Sequence, residues 1–229
     1  MNTPWKLKSF IFSAIDVFNI PNVLYFLQRN VTKRSRIGKL NVDPTWNFHK
    51  QNLKEYNAYG KVFEFGAGKS LAQNLYLSNT VNNQLVVDLN PMIELRLVEN
   101  VRKQLSGIVA LKSNSKIDKI EDFKKYGIQY KAPYDASKTD LCDKSLDACI
   151  STNTLEHIPE ASILSIFSEL RRTLKDEGIV SAQIDYSDHY AHTDDSISLL
   201  NYLKFSDKSW KRYNHDCHYQ NRLRHYDYL

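Results

Sequence analysis

The sequence predicts a doubly wound α/β fold in which five parallel strands form one sheet. Short apolar runs of strand length alternate with helical patterns along the chain. A turn containing glycines follows the first run, and an aspartate ends the second. Right-handed crossovers between successive strands give the spatial order 3-2-1-4-5. The predicted strands are residues 62–65, 85–88, 128–132, 146–151 and 179–185.

The composition indicates one domain preceded by a basic arm. The 229 residues are 42% hydrophobic, which is sufficient for one substantial core, and we predict a single domain over residues 41–229. The net charge of +5 is concentrated in residues 1–40, which alone carry +6. Three cysteines without CxxC spacing, and no pattern typical of a secretory signal, predict a reduced, cytoplasmic setting.

The arm of residues 1–40 combines basic ends with an apolar middle. This apolar part is interrupted by Asp16 and Pro21, which argues against a membrane-spanning helix and predicts two short helices broken near Pro21. Two interpretations stay open: the arm covers the domain, or it makes peripheral contact with an anionic membrane. Nucleic acid is not an expected partner, because the basic residues flank an apolar segment instead of lining a groove.

The turn after the first strand is the strongest functional signal in the chain. Gly66 and Gly68 allow the backbone to approach a ligand closely, since neither has a Cβ atom. A helix predicted to begin near Ser70 would direct its free N–H groups at an anionic group on the turn. Asp88 ends the second strand, where nucleotide-binding folds place a carboxylate that holds ribose hydroxyls. Together these features predict a nucleotide-type cofactor.

Three kinds of site compete for this turn. Lys69 and Ser70 end it in the manner of a P-loop, but the first glycine of that motif would fall at Phe63. A dinucleotide fingerprint would require a glycine where the chain has Leu71. The third pattern has an acidic residue two positions before the first glycine, and Glu64 meets it.

The segment Glu64-Phe-Gly-Ala-Gly68 resembles motif I of the class I S-adenosylmethionine-dependent methyltransferases, whose fold is Rossmann-like. The block Asp147-Ala-Cys-Ile-Ser-Thr-Asn-Thr-Leu-Glu-His-Ile-Pro159 resembles their motif IV region, especially in type 11-like members that act on small molecules. The resemblance implies methyl transfer from S-adenosylmethionine to a small-molecule or a sugar- or lipid-linked acceptor. The alternatives are a P-loop-like nucleotide-binding protein and a catalytically inactive methyltransferase-like scaffold.

The same resemblance implies how the cofactor is held. Glu64 would join a carboxylate network around the cofactor ammonium, and Asp88 would bind the ribose. Asp135 would accept a hydrogen bond from the adenine amino group, although a turn or helix-cap role is an equal alternative. Ligands of such sheets bind beyond the carboxyl ends of the strands. The predicted cofactor-binding residues are Glu64, Gly66, Ala67, Gly68, Asp88, Leu89, Asp135 and Asn153.

Catalysis makes few demands on the protein, because a sulfonium methyl group is already activated. The enzyme must align the acceptor and, for a hydroxyl, remove a proton. His157, His189 and His192 are the candidate bases, since imidazole titrates near neutral pH, and a polar surface loop is the alternative for the last two. We expect no metal, because two candidate ligand sets match no firm spacing. These sets are Asp185, His189 and His192, and His215, Cys217 and His218.

The end of the chain predicts a C-terminally short methyltransferase. Class I members usually continue after the fifth strand with a helix and an antiparallel strand pair. Residues 198–229 are polar and aromatic and contain no β-branched run able to form two strands, so this final pair should be missing. The fifth strand is then an exposed edge that the tail or a second copy of the chain would cover. The aromatic and arginine side chains of the tail either form a lid over an acceptor or pack against the sheet.

Overall fold

A computed structural model describes residues 3–18 and 40–229. The predicted helix break near Pro21 lies outside these residues. The chain divides into two compact units, and the predicted boundary at residue 40 between an arm and a single domain stays a prediction. The first unit comprises Met1–Ser35, Leu155–Glu160 and Ile184–Leu229, and the second comprises Arg36–Thr154 and Ala161–Gln183.

The second unit contains a parallel sheet of five strands in the order β3-β2-β1-β4-β5, which confirms the predicted fold class. Residues 184–229 are all described and contain no further strand, as expected from the tail. Glu64 in β1 lies opposite Val86 on one side and Ile150 on the other. The strands are β1 Lys61–Phe65, β2 Asn83–Val87, β3 Ile128–Lys131, β4 Leu146–Thr152 and β5 Leu174–Gln183.

Helices precede and connect these strands. Among residues 3–18 and 40–229, no helix is long and apolar enough to cross a membrane. The α-helices are α1 Trp5–Val17, α2 Pro44–Glu55, α3 Ala72–Leu77, α4 Leu95–Ser106, α5 Glu160–Thr173 and α6 Asp207–Trp210. Short 3-10 helices occupy Ile120–Tyr126, Leu155–His157, Asn201–Lys204, Asp216–His218 and His225–Tyr228.

The strand boundaries of β1 to β4 lie within two residues of the predicted ones, and further differences occur at α3 and β5. Helix α3 begins at Ala72 instead of near Ser70, because Leu71 adopts a left-handed conformation with φ of 50°. The Leu71 side chain is buried in the core, and this burial offsets the cost of about 1–2 kcal/mol of the left-handed backbone. Strand β5 begins at Leu174, which pairs with Leu146 of β4, and it ends at Gln183, so Asp185 lies beyond it.

The core of the second unit forms where helices pack on the buried sheet. Helix α4 shows the pattern clearly: Val98, Val101 and Leu105 recur at helical spacing, and all three are fully buried. They pack in one cluster with residues from β1, β2 and β4. Four consecutive residues are buried in each of β1 and β2, so both faces of these strands are covered, as expected for parallel strands in an α/β fold.

The first unit has an aromatic core of its own. Trp5 of α1 packs against Tyr190 and Tyr213, with ring centroids 5.7 and 4.8 Å apart, and its backbone N–H donates to Asp194. Trp210 is buried in the same cluster. The tail aromatics thus pack on one another and on α1 within the first unit, while the predicted roles as a lid or as a cover of the sheet stay predictions.

The tail arginines are also engaged within the first unit. The Arg222 guanidinium donates to the backbone carbonyl oxygens of Tyr202 and Phe205. Arg224 donates to the carbonyl oxygen of Tyr186 and to the Tyr202 hydroxyl. These arginines therefore hold the tail together, and they are not displayed as free anion-binding groups.

We expect Leu105→Ala to lower the free energy of unfolding by about 2–5 kcal/mol, because it opens a cavity in the core of the second unit. Leu164→Ala is the matched control, since Leu164 is also helical but is 65% exposed, and its effect should stay within about 0.5 kcal/mol. Urea denaturation followed by circular dichroism measures both. Equal losses in the two variants would show that α4 does not pack as described.

Candidate functional site

The candidate site begins at the turn that follows β1. Gly66 and Gly68 have φ of +77° and +72°, in the left-handed region that favours glycine. A Cβ atom on Gly66 would lie only 2.3 Å from the Thr154 side chain, whose hydroxyl donates to the Gly66 carbonyl oxygen at 3.3 Å. A Cβ atom on Gly68 would meet no described atom within 4 Å. The turn is therefore packed on the β4 side and open at Gly68, which leaves room for a ligand.

Asp88 follows β2 directly and lies beside this turn. Its carboxylate accepts hydrogen bonds from the backbone N–H of Gly68 at 3.4 Å and from the Tyr130 hydroxyl at 2.9 Å. Burial raises the pKa of Asp88, and it raises the pKa of Tyr130 to about 12, so Tyr130 remains a donor at neutral pH. The next residue, Leu89, is 67% exposed. An anchored carboxylate and an exposed apolar side chain thus stand at the carboxyl end of β2.

Glu64 lies inside the sheet with both carboxylate oxygens bonded. Gln73 donates to one oxygen at 3.1 Å and Asn74 to the other at 2.6 Å, both from α3. Burial raises the pKa of Glu64 to about 7, although the two amide donors oppose this shift. Its predicted role in binding the cofactor ammonium stays a prediction, and these contacts indicate that Glu64 positions the start of α3.

A chain of buried hydrogen bonds continues from Glu64 through Gln73. The Thr152 hydroxyl donates to Gln73 at 2.9 Å and contacts Nε2 of His49 at 3.0 Å. On its other side, His49 contacts the Ser181 hydroxyl at 2.7 Å through Nδ1. Burial lowers the pKa of His49 to about 4, so it is neutral at physiological pH. The chain links β1, α3, β4, α2 and β5 below the site.

Asp135 and Asn153 follow β3 and β4. Asp135 is exposed and accepts hydrogen bonds from the backbone N–H and the hydroxyl of Ser137, and the Ser137 hydroxyl lowers the pKa of Asp135. This geometry favours the turn role, and the adenine role stays a prediction. Asn153 is exposed with φ of 50°, and its N–H donates to the Gln183 carbonyl oxygen. Lys69, next to the glycine turn, pairs with Glu94 at 3.7 Å.

The three predicted bases lie together in the first unit. The ring of His189 is 4.8 Å from that of His157 and 5.1 Å from that of His192, measured between centroids. Asp185 Oδ2 lies 3.5 Å from Nε2 of both His189 and His192. Burial, with His157 as the next contribution, lowers the pKa of His189 to about 4. The structure thus brings the three candidate bases together, and the catalytic role of each stays a prediction.

The second set of candidate metal ligands has other partners. His215 contacts the Ser9 hydroxyl at 2.9 Å and lies 3.8 Å from Asp16. Burial raises the pKa of Cys217 to about 12, so this thiol is protonated at neutral pH, and its sulfur lies 3.8 Å from the Phe12 carbonyl oxygen. These contacts explain the two residues as parts of the packing between α1 and the tail.

Several residues that shape the site were not predicted from the sequence. The adjacent amides Gln73 and Asn74 carried a signal, because two polar residues on the buried side of a helix need partners. Tyr130 carried none, since nothing in its strand indicates that its hydroxyl reaches Asp88. Thr154 follows β4 by two residues and resembles any small polar loop residue.

Comparison with known proteins places this geometry in a family. Residues 63–182, just over half of the chain, match the family model described as a methyltransferase domain. The chain belongs to the class I S-adenosylmethionine-dependent methyltransferases. Phe63, where a P-loop would need its first glycine, is a fully buried residue of β1, so the P-loop interpretation does not fit. S-adenosylmethionine is accordingly the cofactor of this methyltransferase.

Solved structures resemble the methyltransferase at low sequence identity. A candidate O-methyltransferase from Nostoc punctiforme is 16% identical with a TM-score of 0.50, over 81% of this chain and 47% of its own. An S-adenosylmethionine-dependent methyltransferase from Clostridium acetobutylicum is 15% identical with a TM-score of 0.41, over 74% of this chain and 58% of its own.

A third structure is phosphoethanolamine N-methyltransferase 1 from Haemonchus contortus, in complex with phosphoethanolamine and S-adenosylhomocysteine. It is 14% identical with a TM-score of 0.38, over 62% of this chain and 31% of its own. The chain therefore spans between about a third and three fifths of the length of these three proteins. No curated protein sequence matches it.

We expect Gly66→Ala to destabilise the methyltransferase more than Gly68→Ala. Both substitutions carry the left-handed strain of about 1–2 kcal/mol, but only the first drives a methyl group into Thr154, which adds about 1–3 kcal/mol. Chemical denaturation measures the difference. In a Thr154→Gly background the excess should vanish, and an excess that persists there would contradict the close packing of turn and β4.

Glu64→Gln should change how stability depends on pH. Glu64 has a folded pKa of about 7 and an ordinary value of 4.5, so the unfolded chain ionises first and stability falls as pH rises through this window. Replacing the carboxyl group removes up to about 3 kcal/mol of this loss. The stability of the variant relative to the wild type should therefore rise between about pH 4.5 and 7.

The measurement is a series of urea titrations across that pH range. Glu177→Gln, an exposed change in β5, is the matched chemical control. A constant difference between Glu64→Gln and the wild type at all pH values would show that folding does not raise the pKa of Glu64.

Proposed function

We propose that this methyltransferase binds S-adenosylmethionine at the carboxyl ends of β1 and β2 and transfers its methyl group to a small-molecule or a sugar- or lipid-linked acceptor. One observation carries the cofactor site. The Asp88 carboxylate is held beside Gly68, where the backbone opens to free space, and the exposed Leu89 follows it. These residues fit a ligand that has ribose hydroxyls and an apolar ring face.

Each residue of the turn has a proposed part in holding the cofactor. Asp88 accepts hydrogen bonds from the ribose hydroxyls, while Tyr130 and Gly68 fix its orientation. Leu89 packs against the adenine ring. The backbone of Gly66 and Ala67 approaches the amino acid end of the cofactor, since no side chain larger than a methyl group stands there.

The remaining predicted residues lie around this site, either behind the glycine turn or at the ends of neighbouring strands. Glu64 supports the turn through its bonds to Gln73 and Asn74. Asp135 and Asn153 are exposed at the carboxyl ends of β3 and β4, where ligands of open α/β sheets bind. The adenine amino group is the proposed partner of Asp135.

The bound cofactor supplies an activated sulfonium methyl group. The protein then has to exclude water, align the acceptor and, for a hydroxyl, accept a proton. His157, His189 and His192 are the proposed bases. Among them His189 is the weakest, because its pKa of about 4 lies far below the operating pH that favours a general base.

The proposal also covers the surroundings of the enzyme. We propose a cytoplasmic location, peripheral membrane contact through residues 1–40 and a homodimer that covers β5. The support is the basic arm for the membrane contact and the edge position of β5 for the dimer.

Isothermal titration with S-adenosylhomocysteine tests the cofactor site. We expect one molecule to bind per chain and Asp88→Asn to weaken binding at least about tenfold, because a hydrogen bond to a charged group contributes about 1.5–3 kcal/mol. Asp176→Asn is the matched control, since Asp176 is an exposed surface residue paired with Lys144. Its affinity should equal that of the wild type.

Two outcomes would overturn the proposal. Unchanged affinity in Asp88→Asn would remove the ribose role, and no binding by the wild type would favour a methyltransferase-like scaffold without activity. Titration with ATP in parallel separates that scaffold from a nucleotide-binding protein of another kind.

A further inference from the structure

Glu156 has a buried carboxylate that the described residues leave poorly satisfied. It lies in the short helix Leu155–His157, is only 2% exposed, and neither of its side-chain oxygens makes a hydrogen bond of normal geometry with any described residue. The backbone N–H groups of Glu156 and Asp185 approach the carboxylate and partly stabilise its charge. An unsatisfied buried carboxylate is costly, so a missing partner is the simplest explanation of this arrangement.

His157 follows Glu156 in the sequence, and one of its ring nitrogens already has a hydrogen-bond partner. Its Nδ1 lies 2.9 Å from the Tyr219 carbonyl oxygen, which can only accept, so Nδ1 carries the proton and Nε2 has a free lone pair. Such a bond from the far ring nitrogen to a carbonyl oxygen is typical of histidines that bind metals.

Asn221, in the C-terminal tail, holds the backbone around Glu156 and His157 through hydrogen bonds. Asn221 donates from its side chain to the carbonyl oxygens of Leu155 and Ile158, and from its backbone N–H to that of Glu156. Three hydrogen bonds from one buried residue therefore fix the short helix. Ligand residues held in this way lose little freedom on binding an ion.

His189 completes the group. One ligand atom from each of Glu156, His157 and His189 lies within 4.8 Å of the other two, and residues 3–18 and 40–229 contain one group of three that meets this condition. The His189 backbone N–H donates to Gln220, whose amide donates in turn to the Ser187 carbonyl oxygen. All three ligand residues and their supports belong to the first unit.

We propose that Glu156, His157 and His189 bind one divalent transition-metal ion of the zinc class. Two imidazoles and one carboxylate form a donor set that suits Zn²⁺ and its neighbours and disfavours Ca²⁺ and Mg²⁺, which prefer oxygen ligands. Ligand atoms around one tetrahedral ion of this class stand about 3.4 Å apart, so the side chains must close by up to about 1.4 Å from their present separation. Three protein ligands leave a coordination position open for water or an acceptor oxygen.

A second set of ligands competes for His189 and fits less well. Asp185 with His189 and His192 is one of the two sets that were set aside from the sequence because they match no firm ligand spacing. However, Oδ1 of Asp185 already accepts hydrogen bonds from the N–H and hydroxyl of Ser187, so only Oδ2 of this carboxylate faces the two histidines. Nε2 of His192, which would bind the ion, contacts the same hydroxyl at 2.7 Å. Neither side-chain oxygen of Glu156 has such a partner among residues 3–18 and 40–229, which assigns the ion to its side of His189.

The metal site changes how the histidines can act in catalysis. A histidine that gives its lone pair to an ion cannot accept a proton, so His157 and His189 leave the set of proposed bases when the ion is bound. His192 then remains. Metal binding itself involves neither the cofactor nor an acceptor, so its test is independent of the proposed methyl transfer.

The test uses the full-length chain without an affinity tag, stripped with a chelator and titrated with Zn²⁺ by calorimetry. Co²⁺ is added in a parallel experiment, because its visible absorption reports the number and type of ligands. We expect one ion per chain, and binding at least about tenfold weaker in Glu156→Gln and in His157→Ala. Zn²⁺ should also raise the melting temperature of the wild type more than that of either variant.

Two controls match these variants. Glu160→Gln makes the same chemical change four residues away at an exposed position, and His225→Ala removes an exposed histidine outside the cluster. Both should bind like the wild type. Circular dichroism verifies that each variant is folded, and the exposed His157 makes at least one informative variant tolerable to the fold.

Three results would overturn the proposal. The first is no Zn²⁺ binding by the wild type, and the second is unchanged affinity in Glu156→Gln. The third is a larger loss in Asp185→Asn or His192→Ala than in Glu156→Gln, which would assign the ion to the competing set.

Discussion

The site depends on a close approach of two backbone segments at the carboxyl edge of the sheet. The N–H of Gly66 donates to the Val87 carbonyl oxygen and so extends the ladder between β1 and β2 one residue beyond β1. On the other side, Thr154 is bonded to the carbonyl oxygens of Gly66 and Thr152. A side chain at position 66 would push these strand ends apart. The absence of a Cβ atom there lets three strands end at one junction, from which the backbone turns back to meet Asp88.

Beneath this junction, the sheet and its helices bury polar side chains that are connected by hydrogen bonds, although apolar side chains would need no such partners. Each buried donor or acceptor left without a partner costs about 1–3 kcal/mol. A buried chain of hydrogen bonds is therefore stable only when every group in it has a partner. The hydrogen-bonded side chains that connect Glu64 to Ser181 meet this condition, and the Asn52 amide donates a further hydrogen bond to the Ser181 hydroxyl. Because His49 is neutral and has one protonated nitrogen, its two neighbours must take opposite donor and acceptor roles. The network therefore fixes α2 against β4 and β5 in one orientation.

The sequence was sufficient to predict the sheet and its order, since strand runs, glycine turn and crossover handedness are local or general features. It was also sufficient to place Asp88 at the end of β2. Boundaries set by tertiary packing were not predictable. Leu71 adopts a left-handed conformation because its side chain enters the core, and β5 begins at Leu174 instead of residue 179 because Leu174 pairs with Leu146 of β4. Neither contact has a signature within a few residues of sequence.

Contacts between residues far apart in the sequence were not predictable either, and Glu156 is the most consequential example. In sequence it belongs to the block that resembles motif IV, and the adjacent His157 drew attention as a base. Only the fold brings His189 to this pair and reveals that the carboxylate is enclosed. With a pKa raised to about 7 by burial and by the charge of Asp185, Glu156 reduces the stability of the folded chain as pH rises toward neutrality. An ion bound in the folded state alone would reverse this effect, because it stabilises that state in proportion to its own free concentration. Folding of the first unit and uptake of the ion would then be one coupled equilibrium, and the carboxylate that weakens the metal-free protein would be the group that links them.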